Sequence, residues 1–158
     1  MQNILRTDAP AWTLLIRVVV GTVFFLEGLQ KFLYPGELGA GRFAKIGIPA
    51  ASAMGPFVGV IEIVCGALVL VGFATRLASI PLIIDMCVAL ISTKLPILLG
   101  TSFWGFELRP MKHYGFLAMA HEARTDWSML LCSVFLLLVG AGAWSVDANS
   151  QDRRSGKV

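Results

Sequence analysis

WTLLIRVVVGTVFFLEGLQKFLY, residues 12–34, decides how the whole chain is read. About 20 mostly apolar residues cross a bilayer as a helix, and this run is long enough. It also contains Arg17, Glu27 and Lys31. A charge near mid-membrane costs about 2.5–3.5 kcal/mol on the insertion scale, so three in one span need partners. Because Arg17 interrupts the run and no A-x-A site follows, it is read as a retained helix rather than a cleaved signal.

Three further apolar runs follow: residues 54–73 with Glu62, residues 77–99 with Asp85 and Lys94, and residues 127–146 with no formal charge. Together the four predict an all-α integral membrane protein, a four-helix bundle filling residues 1–148. Residues 74–76 form a short turn that makes the second and third helices antiparallel neighbours. Residues 149–158 are polar and read as a disordered tail. Trp12, Tyr34, Trp127 and Trp144 bracket the first and last spans as an interfacial belt.

The composition agrees. Of 158 residues, 56% are apolar and 15% charged, with a mean hydropathy of +0.75 and a net charge of +3. Soluble domains carry about 25% charged residues. The basic residues are scattered, which argues against a nucleic-acid surface. Cys65, Cys87 and Cys132 lie one to a run, as small packing residues, with no C-x-x-C for a dithiol or zinc site. His113 and His121 are eight apart in the long third connection. That spacing suits loop residues, or a proton acceptor at the interface, better than a metal site.

With four spans, both termini share a side. Arg6, Arg17, Arg76, Arg153, Arg154 and Lys157 fall there; Lys31, Arg42, Lys45, Lys94, Arg109, Lys112 and Arg124 fall opposite. The terminal side is denser in basic residues because its loops are shorter, which places the termini in the cytoplasm. Residues 42–48 are expected to form a short interfacial helix. Gly55 and Gly59 form a G-x-x-x-G that suits close helix packing.

Depths at about 1.5 Å per residue sort the buried charges into two layers. Arg17, Asp85 and Glu62 lie at roughly 8, 12 and 16 Å; Glu27, Lys94 and Lys31 lie at roughly 22, 25 and 28 Å. Glu27 and Lys31 are also four apart in the favourable acid-first order. One reading makes these charges internal ion pairs that fix helix order. The other makes Arg17, Glu27, Lys31, Glu62 and Asp85 the wall of a polar cavity for a quinone head group or a proton path. No catalytic residue is singled out.

Arg17, Gly28-x-x-Lys31, Glu62-x-x-x-Gly66, the turn Gly72-Phe-Ala-Thr-Arg76-Leu-Ala and the close Gly140-Ala-Gly-Ala-Trp-Ser145-Val-Asp147 occur in an order that resembles the DoxX family. The resemblance spans residues 12–148. It implies a small four-helix protein of the bacterial cytoplasmic membrane, quinone-linked or redox-associated. It equally admits a non-catalytic accessory subunit or assembly factor of a larger membrane complex, or a homo-oligomer. Proton or small-solute movement through an oligomer is a third reading. No intrinsic redox cofactor or metal is expected, only a quinone or quinol. Arg76, Ser145 and Asp147 match the family pattern at the terminal face, where they form a structural cluster. Arg76 is expected to meet Asp147 or the carbonyls at a helix C-terminus.

Overall fold

The computed structural model describes residues 9–155, with the last four as backbone alone. Arg6 and Lys157 lie outside the described residues, as does the end of the tail. The elements are α1 (Thr13–Leu33), α2 (Ala40–Lys45), α3 (Ala51–Val71), α4 (Thr75–Ala89), α5 (Leu95–Leu99), α6 (Phe116–Val139) and α7 (Val146–Ser155). Extended pairing among the described residues is limited to one isolated antiparallel bridge, Phe103 with Phe106. Among the described residues, three helical segments are long and apolar enough to cross a membrane: Thr13–Leu33, Ala51–Val71 and Thr75–Leu99.

Glycine sets the packing of α1 on α3. A Cβ at Gly28 would lie 2.6 Å from the Gly59 carbonyl oxygen, and one at Gly66 would lie 2.7 Å from the Phe25 nitrogen. Only bare backbone permits such an approach. The antiparallel register therefore sets Gly28 against Gly59 and Gly21 against Gly66. Val20 and Phe24 of α1, Cys65 and Val69 of α3, Ala78 and Leu82 of α4, and Met129 and Leu136 of α6 fill the core.

The turn after α3 is a Schellman motif. The Phe73 N–H donates to Leu68 (3.0 Å) and the Gly72 N–H to Val69 (3.2 Å), with Gly72 at φ +69°. Glycine occupies this left-handed position without a Cβ penalty. The rod from Thr75 to Leu99 contains one π-helical turn, Leu90–Lys94. Pro96 has no N–H and its ring crowds the carbonyl four residues back. The Leu95 N–H instead bonds Leu90, and the wider turn absorbs the misfit.

Two boundaries differ from expectation. α6 begins at Phe116 rather than near Trp127, because the run from Phe116 continues without a helix breaker. It ends at Val139 rather than Val146, because Gly140 adopts φ +91°, ψ −166°, a conformation nearly restricted to glycine. The tail also differs: residues 146–155 are helical rather than disordered from 149. Ser145 supplies its N-cap, accepting from the Ala148 N–H at 3.1 Å. The terminal family pattern thus encodes a helix stop and a helix start. The short helix between α1 and α3 falls at 40–45 instead of 42–48.

Candidate functional site

The charges gather at two places. At the first, Arg17 is buried at 2% exposure between the end of α3 and the α6–α7 connection. Its guanidinium donates to the carbonyls of Val69 (2.9 Å), Leu70 (2.6 Å), Ala141 (3.2 Å) and Trp144 (2.6 Å). The last carbonyls of a helix lack intrahelical donors, and a planar fork of N–H groups suits them. Gly72 makes room for it: a Cβ there would lie 2.6 Å from the guanidinium carbon.

Asp147 serves the opposite polarity at the same end. Its carboxylate accepts from the N–H groups of Ala74 (2.8 Å) and Thr75 (3.1 Å), the start of α4. A carboxylate at a helix N-terminus satisfies orphan donors and complements the helix dipole. Arg76 donates to the Val139 carbonyl at 3.4 Å, closing the end of α6. Of its two expected partners, the structure shows the helix C-terminus. Ser145 donates to Gly142 at 2.6 Å. Arg17 thus joins Arg76, Ser145 and Asp147, and does not meet Glu62 or Asp85.

The second place is a cavity of about 380 Å³ lined by Glu27, Lys31, Glu62, Asp85, Ser92, Lys94 and Asp126 together with Phe24, Phe43, Met54, Met86 and Met129. The Lys31 ammonium lies 2.8 and 2.6 Å from the two Glu62 oxygens, with side-chain exposures of 10% and 4%. Glu62 and Asp85 line the same cavity. Lys94 meets Asp126 at 3.2 Å, and Glu122 meets Arg109 at 2.7 Å near the opening.

The two expected layers are therefore redistributed. Lys31 pairs with Glu62 of α3 rather than Glu27 of its own helix, Lys94 pairs with Asp126, and Arg17 joins neither group. Side chains on a helix lean toward its N-terminus. On antiparallel helices, Lys31 and Glu62 lean toward each other and meet near Gly28 and Gly59. Counting backbone depth alone misses this. Asp85 and Glu62, equidistant from the 72–74 turn to within one residue, both line this cavity. Sequence reasoning missed Asp126 and Glu122 because it began the last helix at Trp127. Their spacing of four residues, continued by Met129 and Ser133, was the signal.

His113 and His121 are both exposed. The His121 carbonyl accepts from Arg124. Of the cysteines, Cys65 is in the core while Cys87 faces outward.

Apolar helices long enough to span, charges paired inside, and exposed Leu15, Val64, Ile84 and Leu131 outside define an integral membrane protein with a polar interior cavity. The DoxX family profile matches residues 12–95, and the chain belongs to the DoxX family. It is 50% identical over 151 residues to an uncharacterized membrane protein of Mycobacterium tuberculosis, covering 96% of this chain and 88% of that one. It is 32% identical over 136 residues to the "Putative oxidoreductase CatD" of Bacillus subtilis, covering 85% and 84%. No solved structure matches it.

Proposed function

We propose that the chain is a quinone-linked component of the bacterial cytoplasmic membrane and that the cavity beside Glu62 receives the head group. That cavity is the observation that carries the reading. Phe24, Met86 and Met129 offer aromatic and thioether surface for a ring, while Glu62 and Asp85 place carboxyls beside it. Quinones supply two-electron, two-proton chemistry when bound. Lys31 holds Glu62 in place and Asp85 lines the same cavity, so the carboxyls are the groups placed to take up and release the protons. Electrons pass to or from a partner subunit of a redox assembly, in keeping with the name of the Bacillus subtilis relative as a putative oxidoreductase.

In this reading α6 is a fourth span and both termini face the cytoplasm. The 24-residue length of α6 supports a crossing, and the pairing of Glu122 and Asp126 with Arg109 and Lys94 offsets the cost of its charged half. Arg17, Arg76 and the α7 segment sit together at one end, the side richer in basic residues for its loop length.

Titrating the purified protein in nanodiscs with a short-tailed benzoquinone and, anaerobically, with its hydroquinone tests the site. Saturable binding of at least one form is expected, weakened by Glu62→Gln. No saturable binding of either form overturns the reading and leaves an accessory subunit of a larger membrane complex.

A further inference from the structure

The connection between α5 and α6, residues 100–115, carries a side chain that the bundle does not use. Phe103 and Phe106 exchange both backbone hydrogen bonds, the Phe103 N–H donating at 3.0 Å and the Phe106 N–H at 2.8 Å. Trp104 and Gly105 are therefore the central residues of a tight hairpin. Both have positive φ, +50° and +87°. Such turns favour Asn-Gly, because a left-handed φ crowds a larger residue. The Trp104 ring is also 85% exposed, and its indole N–H makes no hydrogen bond among the described residues.

The hairpin is fixed beside the start of α3. The Glu107 N–H donates to the Ile46 carbonyl at 3.1 Å, and a Cβ on Gly47 would collide with the Gly105 carbonyl oxygen. The Ser102 hydroxyl ties the two arms, donating to Glu107 and accepting from the Leu108 N–H, each at 3.2 Å. Gly47 precedes the first residue of α3, Ala51, by four residues. Four residues span at most about 14 Å, so the tip stands near the level where α3 enters the bilayer. The same end of the helices exposes Leu33 and Tyr34 after α1, Leu99 of α5, and Phe116 and Leu117 of α6. An indole suits that level, with an apolar ring for the acyl chains and an N–H for the head groups.

We propose that Trp104 seats in the head-group boundary of the bilayer and anchors the α5–α6 connection there. Lipid supplies the burial and the N–H partner that the chain does not, which offsets the strained φ. The segment gripped by the hairpin carries Ile46 and Ile48 of the cavity wall, so the anchor holds that wall at the membrane surface. It does so whatever the cavity binds.

The test uses the full chain in nanodiscs and reads Trp104 as the difference in fluorescence between the native protein and Trp104→Asn. Trp12, Trp127 and Trp144 are common to both and cancel. Asparagine suits the left-handed turn, so amide exchange at Phe103 and Phe106 should stay native. Should it change, Trp104→Phe gives the difference with an aromatic ring retained. The expected difference emission is shifted to shorter wavelength than that of indole in water. Phospholipids brominated near the top of the acyl chain should quench it more than aqueous iodide does. Iodide quenching equal to or above that of the brominated lipid overturns the proposal and leaves the ring in water. Insensitivity to both quenchers also overturns it, because the ring would then be covered by protein.

Discussion

Lys31 of α1 and Glu62 of α3 approach within 2.6 Å inside the helix pair, with both side chains nearly sealed from the surface. Two glycines make the meeting feasible. Gly28 and Gly59 bring the backbones together one turn away, which shortens the path each side chain spans. Removing one partner of a buried pair leaves an uncompensated charge, at a cost of about 3–5 kcal/mol. Lys31→Met is therefore expected to lower the thermal midpoint in detergent sharply. Lys31→Met with Glu62→Leu is expected to recover most of that loss. Equal midpoints for the single and double variants would contradict this.

Arg17→Lys replaces a planar five-donor group by a three-donor point charge facing four carbonyls. At least one carbonyl loses its donor, and each lost charge-assisted bond is worth about 1.5–3 kcal/mol. Arg17→Ala should be worse than Arg17→Lys. Size-exclusion profiles and unfolding midpoints in the same detergent read both, and a native-like Arg17→Ala would refute the role.

Gly28→Leu must push α1 away from α3, because even its Cβ would sit 2.6 Å from the Gly59 oxygen. Overpacking costs about 1–3 kcal/mol where the neighbours can move, and more against rigid backbone. Gly36→Ala is the control, since nothing lies within 4 Å of its added carbon. The expected order of thermal midpoints is native, then Gly36→Ala within a few degrees, then Gly28→Leu well below.

Asp147→Ala removes both acceptors at the start of α4 and should cost about 1–2 kcal/mol. Asp147→Asn keeps one oxygen and should fall between. Faster amide exchange at Ala74 and Thr75 in the alanine variant would localise the effect, and unchanged exchange there would count against it.

Ala89→Phe adds a ring to the cavity wall from α4, at a residue that belongs to neither ion pair. The expected result is lost ligand binding with a thermal midpoint close to native. Retained binding would place the ligand elsewhere.

Three of the four expected spans were legible because their apolar length is a direct demand of the bilayer. The placing of Glu62 and Asp85 on one cavity was legible too, since a three-residue turn fixes the register of their hairpin. The partners of Lys31 and Arg17 were not. Lys31 depends on side-chain lean across an interface whose closeness is set by Gly28 and Gly59. Arg17 depends on backbone carbonyls, which no residue pattern advertises. Asp126 was hidden because polar residues in the first half of α6 resemble a loop until Lys94 and Arg109 are seen to pair with them.

The contacts of Arg17 also impose an order on assembly. Its earliest carbonyl partners, Val69 and Leu70, are synthesised some fifty residues later, and its last, Trp144, more than one hundred and twenty later. Until then the guanidinium carries unmet donors. A chain ending before Ala141 could enter the bilayer yet would leave Arg17 without its Ala141 and Trp144 acceptors. The first helix is therefore completed only when the connection between α6 and α7 is in place.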